Sequence, residues 1–244
     1  MQDVVHGRTG DLQIATVLSV AVGVLPASLT RWHREHPSVS VNLLEFNHRR
    51  QLEEAVAAGA ADLAVGPRPH GWSGPVVDLG VERFVLVLPP GDPLTAEIVP
   101  YPGASPRAAP RSTGTLPITS LRGRDWVMLA RENGLNELVE SHVTAAGLVS
   151  LPVRLRTSQT EAAARLGAAG VGAALLPANV IPRDLPALLC EPDPPLTRRL
   201  AAYARADFDP ATRRYVEVLS HEVAALEAWN NAPGYWASTQ DPMT

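Results

Sequence analysis

Gly10-Asp-Leu-Gln-Ile-Ala-Thr-Val17, Leu25-Pro26-Ala-Ser-Leu29-Thr-Arg-Trp32-His-Arg-Glu-His36-Pro37, Val39-Ser-Val41-Asn-Leu43-Leu44-Glu-Phe46, Leu52-Glu-Glu-Ala-Val56 and Asp62-Leu-Ala-Val-Gly66 follow one another between Gly10 and Arg68. Short apolar runs bounded by turn residues predict strands over 12–17, 39–46 and 62–66. The segments between them carry helical spacing: Leu25, Leu29 and Trp32 at i, i+4 and i+7, and Leu52 and Val56 at i and i+4. Strand, helix, strand, helix, strand is the order of a parallel sheet with crossover helices, an α/β architecture. Ligands of such sheets sit beyond the carboxyl ends of the strands. That rule selects three turns: Leu18-Ser19, Asn47, and Gly66-Pro67-Arg68.

Beyond Arg68 the pattern repeats. Pro67 to Gly74 is a Pro/Gly-rich loop, and 82–88 reads as a strand ending at Pro89-Pro90-Gly91. Residues 92–117 show little apolar periodicity and predict a long exposed loop, with Arg107 and Arg111 as solvated charges. A second α/β series follows: a strand over 126–129, the turn Arg131-Glu-Asn133, and a helix with Leu135, Leu138, Val139, His142 and Val143 on one face, closed by Gly147. His142 reads as a packed side chain. Next come a strand over 153–157 and a helix opened by the capping-box pattern Ser158-Gln-Thr-Glu161 and ended by Gly170. The strand 171–176 precedes Pro177. Residues 200–204 read as a strand returning to the first series, and Asp209-Pro210 as the start of a final helix carrying Tyr215, Val218, Leu219, Glu222, Leu226 and Trp229. The tail from about 230 is expected to be disordered.

Composition narrows the function classes. The chain has 244 residues, 45% hydrophobic, with formal charge −4 and 21 Lys+Arg that are all arginine. No tight basic cluster offers a nucleic-acid footprint. Arg49-Arg50 and Arg198-Arg199 read as solvated charges, with Arg49–Glu53 and Arg50–Glu54 as i, i+4 pairs. The one cysteine, Cys190, excludes an internal disulfide and reads as a buried small hydrophobe. No signal peptide or membrane-spanning run is present, so a cytoplasmic address is expected. Enzyme signatures fail: Gly71-Trp-Ser73-Gly74 lacks the spacing of a nucleophile elbow, and Gly170-Val-Gly172 follows a helix when a dinucleotide fingerprint opens one. His33 and His36 have no third metal ligand. No enzyme, metal or cofactor is expected.

Gly10-Asp-Leu-Gln-Ile, Leu25-Pro26 through Trp32, His36-Pro37-Ser-Val, the block ending Asp62-Leu-Ala-Val-Gly66, Pro90-Gly-Asp92-Pro93-Leu94, Glu137 through Gly147 and Val171-Gly-Ala-Ala-Leu-Leu-Pro177 resemble, in order and spacing, the effector-binding domain of LysR-type transcriptional regulators, over roughly residues 10 to 225. The resemblance implies a type 2 periplasmic-binding-protein-like fold with two Rossmann-like lobes and a double-strand hinge. Its lobe I would hold 10–89 and 199–229, and lobe II 90–198, with a flexible loop near 94–117 longer than the family leads one to expect. It further implies a small-molecule effector in the inter-lobe cleft, and a homodimer or tetramer that packs the helix around Leu29–Arg34 against the one around Leu138–Thr144. DNA would be reached only through an N-terminal helix-turn-helix absent from this chain.

Strand ends and resemblance together nominate Leu18, Ser19, Asn47, Arg68, Arg131, Asn133 and Ser158 as effector-binding residues. Helix N-termini attract anions and arginine pairs bidentately with carboxylates, so a small carboxylate is the expected effector class. The plainer reading makes Ser19, Asn47 and Ser158 helix caps and Arg68 a solvated charge. The alternative function is an extracytoplasmic solute-binding protein for transport.

Overall fold

The computed structural model describes residues 10–101 and 114–231. The expectations for the first nine residues, for 102–113 with Arg107 and Arg111, and for the tail after 231 lie outside the described residues, as does the side chain of Trp229. The chain forms two compact units. It leaves the first after Glu82 and re-enters it at Arg198.

Unit 1 contains β1 (Gly10–Val17), α1 (Leu18–Gly23), α2 (Leu25–Glu35), β2 (Val39–Phe46), α3 (Arg49–Ala57), β3 (Leu63–Pro67), the first part of β4 (Val76–Leu88), nearly all of β11 (Thr197–Tyr203), and α6 (Pro210–Asn231) as far as Ala228. The expected parallel sheet is present. β1 pairs in parallel with β2, Val17 opposite Phe46, and with β3, Thr16 opposite Val65. β11 runs antiparallel to β3, Leu200 opposite Pro67. The apolar spacing buries what it should: Leu25 and Trp32 of α2 and Leu52 and Val56 of α3 are fully buried with Ile14, Leu63 and Tyr215. Pro26 sits in the first turn of α2, where its missing N–H costs nothing. Gly59 ends α3 at φ +79°, a left-handed position natural to glycine. The pairs Arg49–Glu53, half-buried, and Arg50–Glu54, exposed, are formed at 3.4 and 3.2 Å.

Unit 2 contains the second part of β4, then β5 (Val99–Pro100), β6 (Gly114–Pro117), β7 (Trp126–Leu129), α4 (Gly134–Ala145), β8 (Val153–Thr157), α5 (Thr160–Ala168), β9 (Ala174–Pro177) and β10 (Leu188–Asp193). β7 and β8 pair in parallel, Leu129 opposite Thr157. β4 pairs antiparallel with β9 and β10. Its core gathers Phe84, Leu86, Trp126, Val139, Val143, Leu176 and Leu188. Cys190 is buried there, and desolvation pushes its thiol up to about 12. His142 is half-buried, its Nε2 3.0 Å from the carbonyl oxygen of Pro194.

The structure corrects several expectations. The stretch 92–117 is not one loop: Pro93–Glu97 forms a 3-10 turn capped by the Asp92 carboxylate, and Gly114–Pro117 is strand β6, parallel to β10. Four residues are too few to show an apolar period. Strand β4 begins at Val76, six residues earlier than expected, because Asp78 and Gly80 break the apolar pattern without breaking the strand. The caps differ too. α1 begins directly after β1 with Val17 at its N-cap, so Ser19 lies inside the first turn. His48, not Asn47, caps α3 by accepting from the backbone N–H of Arg50 at 3.1 Å. Gln159 precedes α5 with no side-chain cap, so the Ser158–Glu161 box does not form. Glu161 is held by Arg165 one turn later, at 2.7 Å, and cannot reach back.

Candidate functional site

In unit 1 the parallel register brings the carboxyl ends of β1, β2 and β3 to one sheet edge. Leu18 and Ser19 follow the first, Asn47 the second and Arg68 the third. β11 enters from that edge, because Arg68 N–H donates to the Arg199 carbonyl at 2.9 Å. Arg198 and Arg199 therefore join the same rim.

The rim residues differ sharply in what holds them. Thr16, buried at the end of β1, donates its hydroxyl to the Val65 carbonyl at 2.7 Å and locks β1 to β3. Leu18 is half-buried and Ser19 is 2% exposed. Ser19 Oγ accepts from Arg198 Nη2 at 3.0 Å. Arg198 Nε and Nη2 both meet Glu82 Oε2, at 2.7 and 2.6 Å, with the side chains only 12% and 2% exposed. Asn47 is exposed and is not a cap. Arg68 is 45% exposed but is not free: its Nη1 lies 3.1 Å from Asp78 Oδ2, and Arg199 closes on the same oxygen. The Gly80 backbone N–H first, then Arg199 and Arg68, hold the Asp78 carboxyl below its ordinary value against burial. Two arginines thus share one carboxylate at the rim, leaving a net positive charge.

Sequence reasoning missed Arg198 and Glu82 and read Arg198-Arg199 as solvated. That reading holds for Arg199 alone. The signal was strand alternation. Arg198 shares a face of β11 with buried Leu200 and Ala202, and Glu82 shares a face of β4 with buried Phe84, Leu86 and Leu88.

In unit 2 the ends of β7 and β8 also coincide, since Ala130 N–H donates to the Thr157 carbonyl at 2.9 Å. Arg131, Asn133 and Ser158 follow these ends. Asn133 is 5% exposed, and its Oδ1 accepts from Leu135 N–H at 3.0 Å, so it caps α4. Ser158 and Arg131 are exposed and have no side-chain partner among the described residues. Arg131 lines an open groove of about 640 Å³ with Glu140, Thr144, Val149, Leu151 and Arg154. Arg156, which also lines it, is occupied: it donates to the Leu129 carbonyl, to Asn136 Oδ1 at 2.7 Å and to Glu140 at 3.0 Å. Among the described residues no group of His, Cys, Asp and Glu is placed to hold a metal ion, and no helix is long and apolar enough to cross a membrane.

Comparison with known proteins places these observations. The family described as LysR substrate binding domain matches residues 6–224. The HTH-type transcriptional activator IlvY of Salmonella typhimurium is 34% identical over 80 residues, 33% of this chain and 27% of that protein, so the match spans under a third of that relative's length. The regulatory domain of Synechocystis PCC6803 CcmR, solved in complex with 2-PG, is similar with a TM-score of 0.68 and 19% identity over 87% of this chain and 97% of that one. The BenM effector binding domain, solved with its effector benzoate, gives a TM-score of 0.65 and 19% identity over 93% and 94%. These likenesses show the fold, the type 2 periplasmic-binding-protein-like fold of LysR effector-binding domains.

Proposed function

The chain belongs to the family of LysR substrate-binding domains, and from that premise we propose that it is the ligand-sensing domain of a LysR-type transcriptional regulator. It binds a small-molecule effector, with DNA contacted through a helix-turn-helix carried elsewhere in the full regulator. Effector binding shifts the population of domain conformations, and subunit assembly passes that shift to the DNA-binding parts. It acts as a sensor in the cytoplasm, without catalysis.

The observation that carries this reading is the rim of unit 1, where Ser19, Asn47 and Arg68 follow three parallel strand ends and Arg198 and Arg199 enter from the same edge. Cations gathered at strand ends favour an anion, so a small carboxylate is the proposed effector class. That BenM is bound to benzoate supports the class by analogy. Arg131 and Ser158 of unit 2, neither committed to a partner, remain proposed contacts. Leu18 would offer apolar contact beside Ser19. Asn133, spent as a cap, is the weakest of the proposed set.

A thermal-shift screen of metabolites tests the proposal. A ligand present at a hundredfold excess over its dissociation constant stabilises the folded chain by about 2.7 kcal/mol. A carboxylate hit whose affinity drops in Arg68→Ala or Arg131→Ala supports the class. A hit indifferent to both substitutions rejects the carboxylate reading, and a library with no hit counts against ligand sensing.

A further inference from the structure

Glu82 is the last residue of unit 1 as the chain leaves it, and Arg198 is the first as the chain returns. The two side chains meet almost out of solvent, with the Arg198 guanidinium reaching on to Ser19 Oγ. Such a pair has two roles open to it. It can be a staple between two strands, or a cation held ready by an exchangeable counter-ion.

The hydrogen-bond inventory separates them. Arginine carries five N–H donors. Nε and Nη2 of Arg198 are spent on one oxygen of Glu82 and on Ser19, while Nη1 takes no partner among the described residues. Ser19 only accepts in this arrangement, so its own hydroxyl proton is also uncommitted. Two donors, one of them charged, therefore belong to side chains that already touch where β1 ends, with Arg198 Nη2 3.0 Å from Ser19 Oγ. A strand staple needs neither. A two-oxygen anion would be matched by both.

Resting on the effector-sensing reading above, we infer that Arg198 recognises the carboxylate of the effector, with Ser19 as its second donor and Glu82 as the resident counter-ion that shares the guanidinium. A carboxylate docked on Nη1 and Ser19 draws charge from the Arg198–Glu82 contact. It thereby loosens the tie between the two places where the chain passes out of and back into unit 1. Recognition and response would then use the same guanidinium.

The test uses the whole 244-residue chain and sodium acetate as the probe, read from the Arg198 Nε–H resonance in nitrogen-resolved spectra and assigned by its loss in Arg198→Lys. The resonance moves saturably with acetate and not with equal sodium chloride. Ser19→Ala weakens the acetate response by about tenfold or more, as loss of one hydrogen bond to a charged group predicts. Glu82→Gln, which removes the competing charge, strengthens it by about tenfold or more. Should Glu82→Gln not fold, Glu82→Asp loosens the pair while keeping its charge and must strengthen the response in the same direction. A resonance silent to acetate in the wild type overturns the inference, even where Glu82→Gln responds, because Glu82 would then hold the guanidinium against any ligand. A metabolite hit that binds Arg198→Lys as tightly as the wild type also overturns it, and leaves the sensing function intact. Absence of any metabolite hit beside a positive acetate response does the reverse.

Discussion

Arg198 and Glu82 sit on neighbouring strands with both side chains turned inward, 12% and 2% exposed, their charged atoms 2.6 Å apart. Removing one partner strands the other as a buried charge, whereas removing both leaves none. Arg198→Met or Glu82→Leu alone is expected to cost about 3–5 kcal/mol, and the double substitution much less than the sum. Urea unfolding of the four chains measures this. An additive double substitution would mean that the two charges do not depend on each other.

Gly74 lies against the backbone where the chain leaves β11. A methyl group there would meet the Ala204 carbonyl oxygen at 2.1 Å, and backbone cannot step aside as a flexible side chain can. The neighbouring Trp72 indole N–H donates to that same carbonyl at 2.8 Å. Gly74→Ala is expected to destabilise by about 1–3 kcal/mol through overpacking. Gly71, with open space around its Cβ position, serves as the loop control, although its φ of +63° carries its own penalty. Thermal unfolding of the two variants compares them, and equal stability of Gly74→Ala with the wild type would rule out the close approach.

Trp32 of α2 and Tyr215 of α6 meet edge to face at 5.5 Å, and the Tyr215 hydroxyl is 3.0 Å from Ser28 Oγ. Burial pushes the Tyr215 phenol up to about 12, so it stays protonated in neutral solution and able to donate. Trp32→Ala should cost about 3–5 kcal/mol by emptying the core. Tyr215→Phe should cost about 1–3 kcal/mol, since Ser28 is left buried with one partner fewer. Denaturant midpoints give the ranking, and a Tyr215→Phe variant less stable than Trp32→Ala would contradict it.

Asp209 caps α6. Burial opposes its charge, but the Thr212 hydroxyl and the N–H groups of Thr212 and Ala211 outweigh that and leave its carboxyl below the ordinary 3.8. A folded-state value lower than the unfolded one gives stability that is full above the unfolded value and lost as pH falls through the folded one. Asp209→Ala should therefore cost about 1 kcal/mol at neutral pH, with the gap to wild type closing below pH 3.8. Unfolding curves across that range test the sign, and a gap that widens in acid would refute it.

Much of this architecture was legible in the residues. The three strands of the opening stretch and their crossover helices carry periods of 2 and 3.6 that few other arrangements satisfy. Asp209-Pro210, Gly59, Gly147 and Gly170 mark helix ends through local chemistry alone. The expected caps fail at α1 and α5 because no side chain caps either helix, and at α3 because the choice between adjacent residues depends on how the strand delivers the chain into the helix. Asn47 and His48 both carry an acceptor, and only the backbone turn decides which one faces the Arg50 N–H. The site was less legible than the fold. Arg68 looked free in sequence and is shared with Arg199 on Asp78, a partner ten residues away. Arg198 looked solvated because its burial comes from neighbours on other strands.

An effector gripped at the strand-end turns should slow amide hydrogen exchange there, read from the chain with and without the best metabolite hit. Protection is expected to concentrate at 17–20, 47–50, 67–69 and 197–200, with a second set at 130–134 and 157–160. Protection confined to α6 or to the outer turns of α2, with the strand ends unchanged, would contradict it.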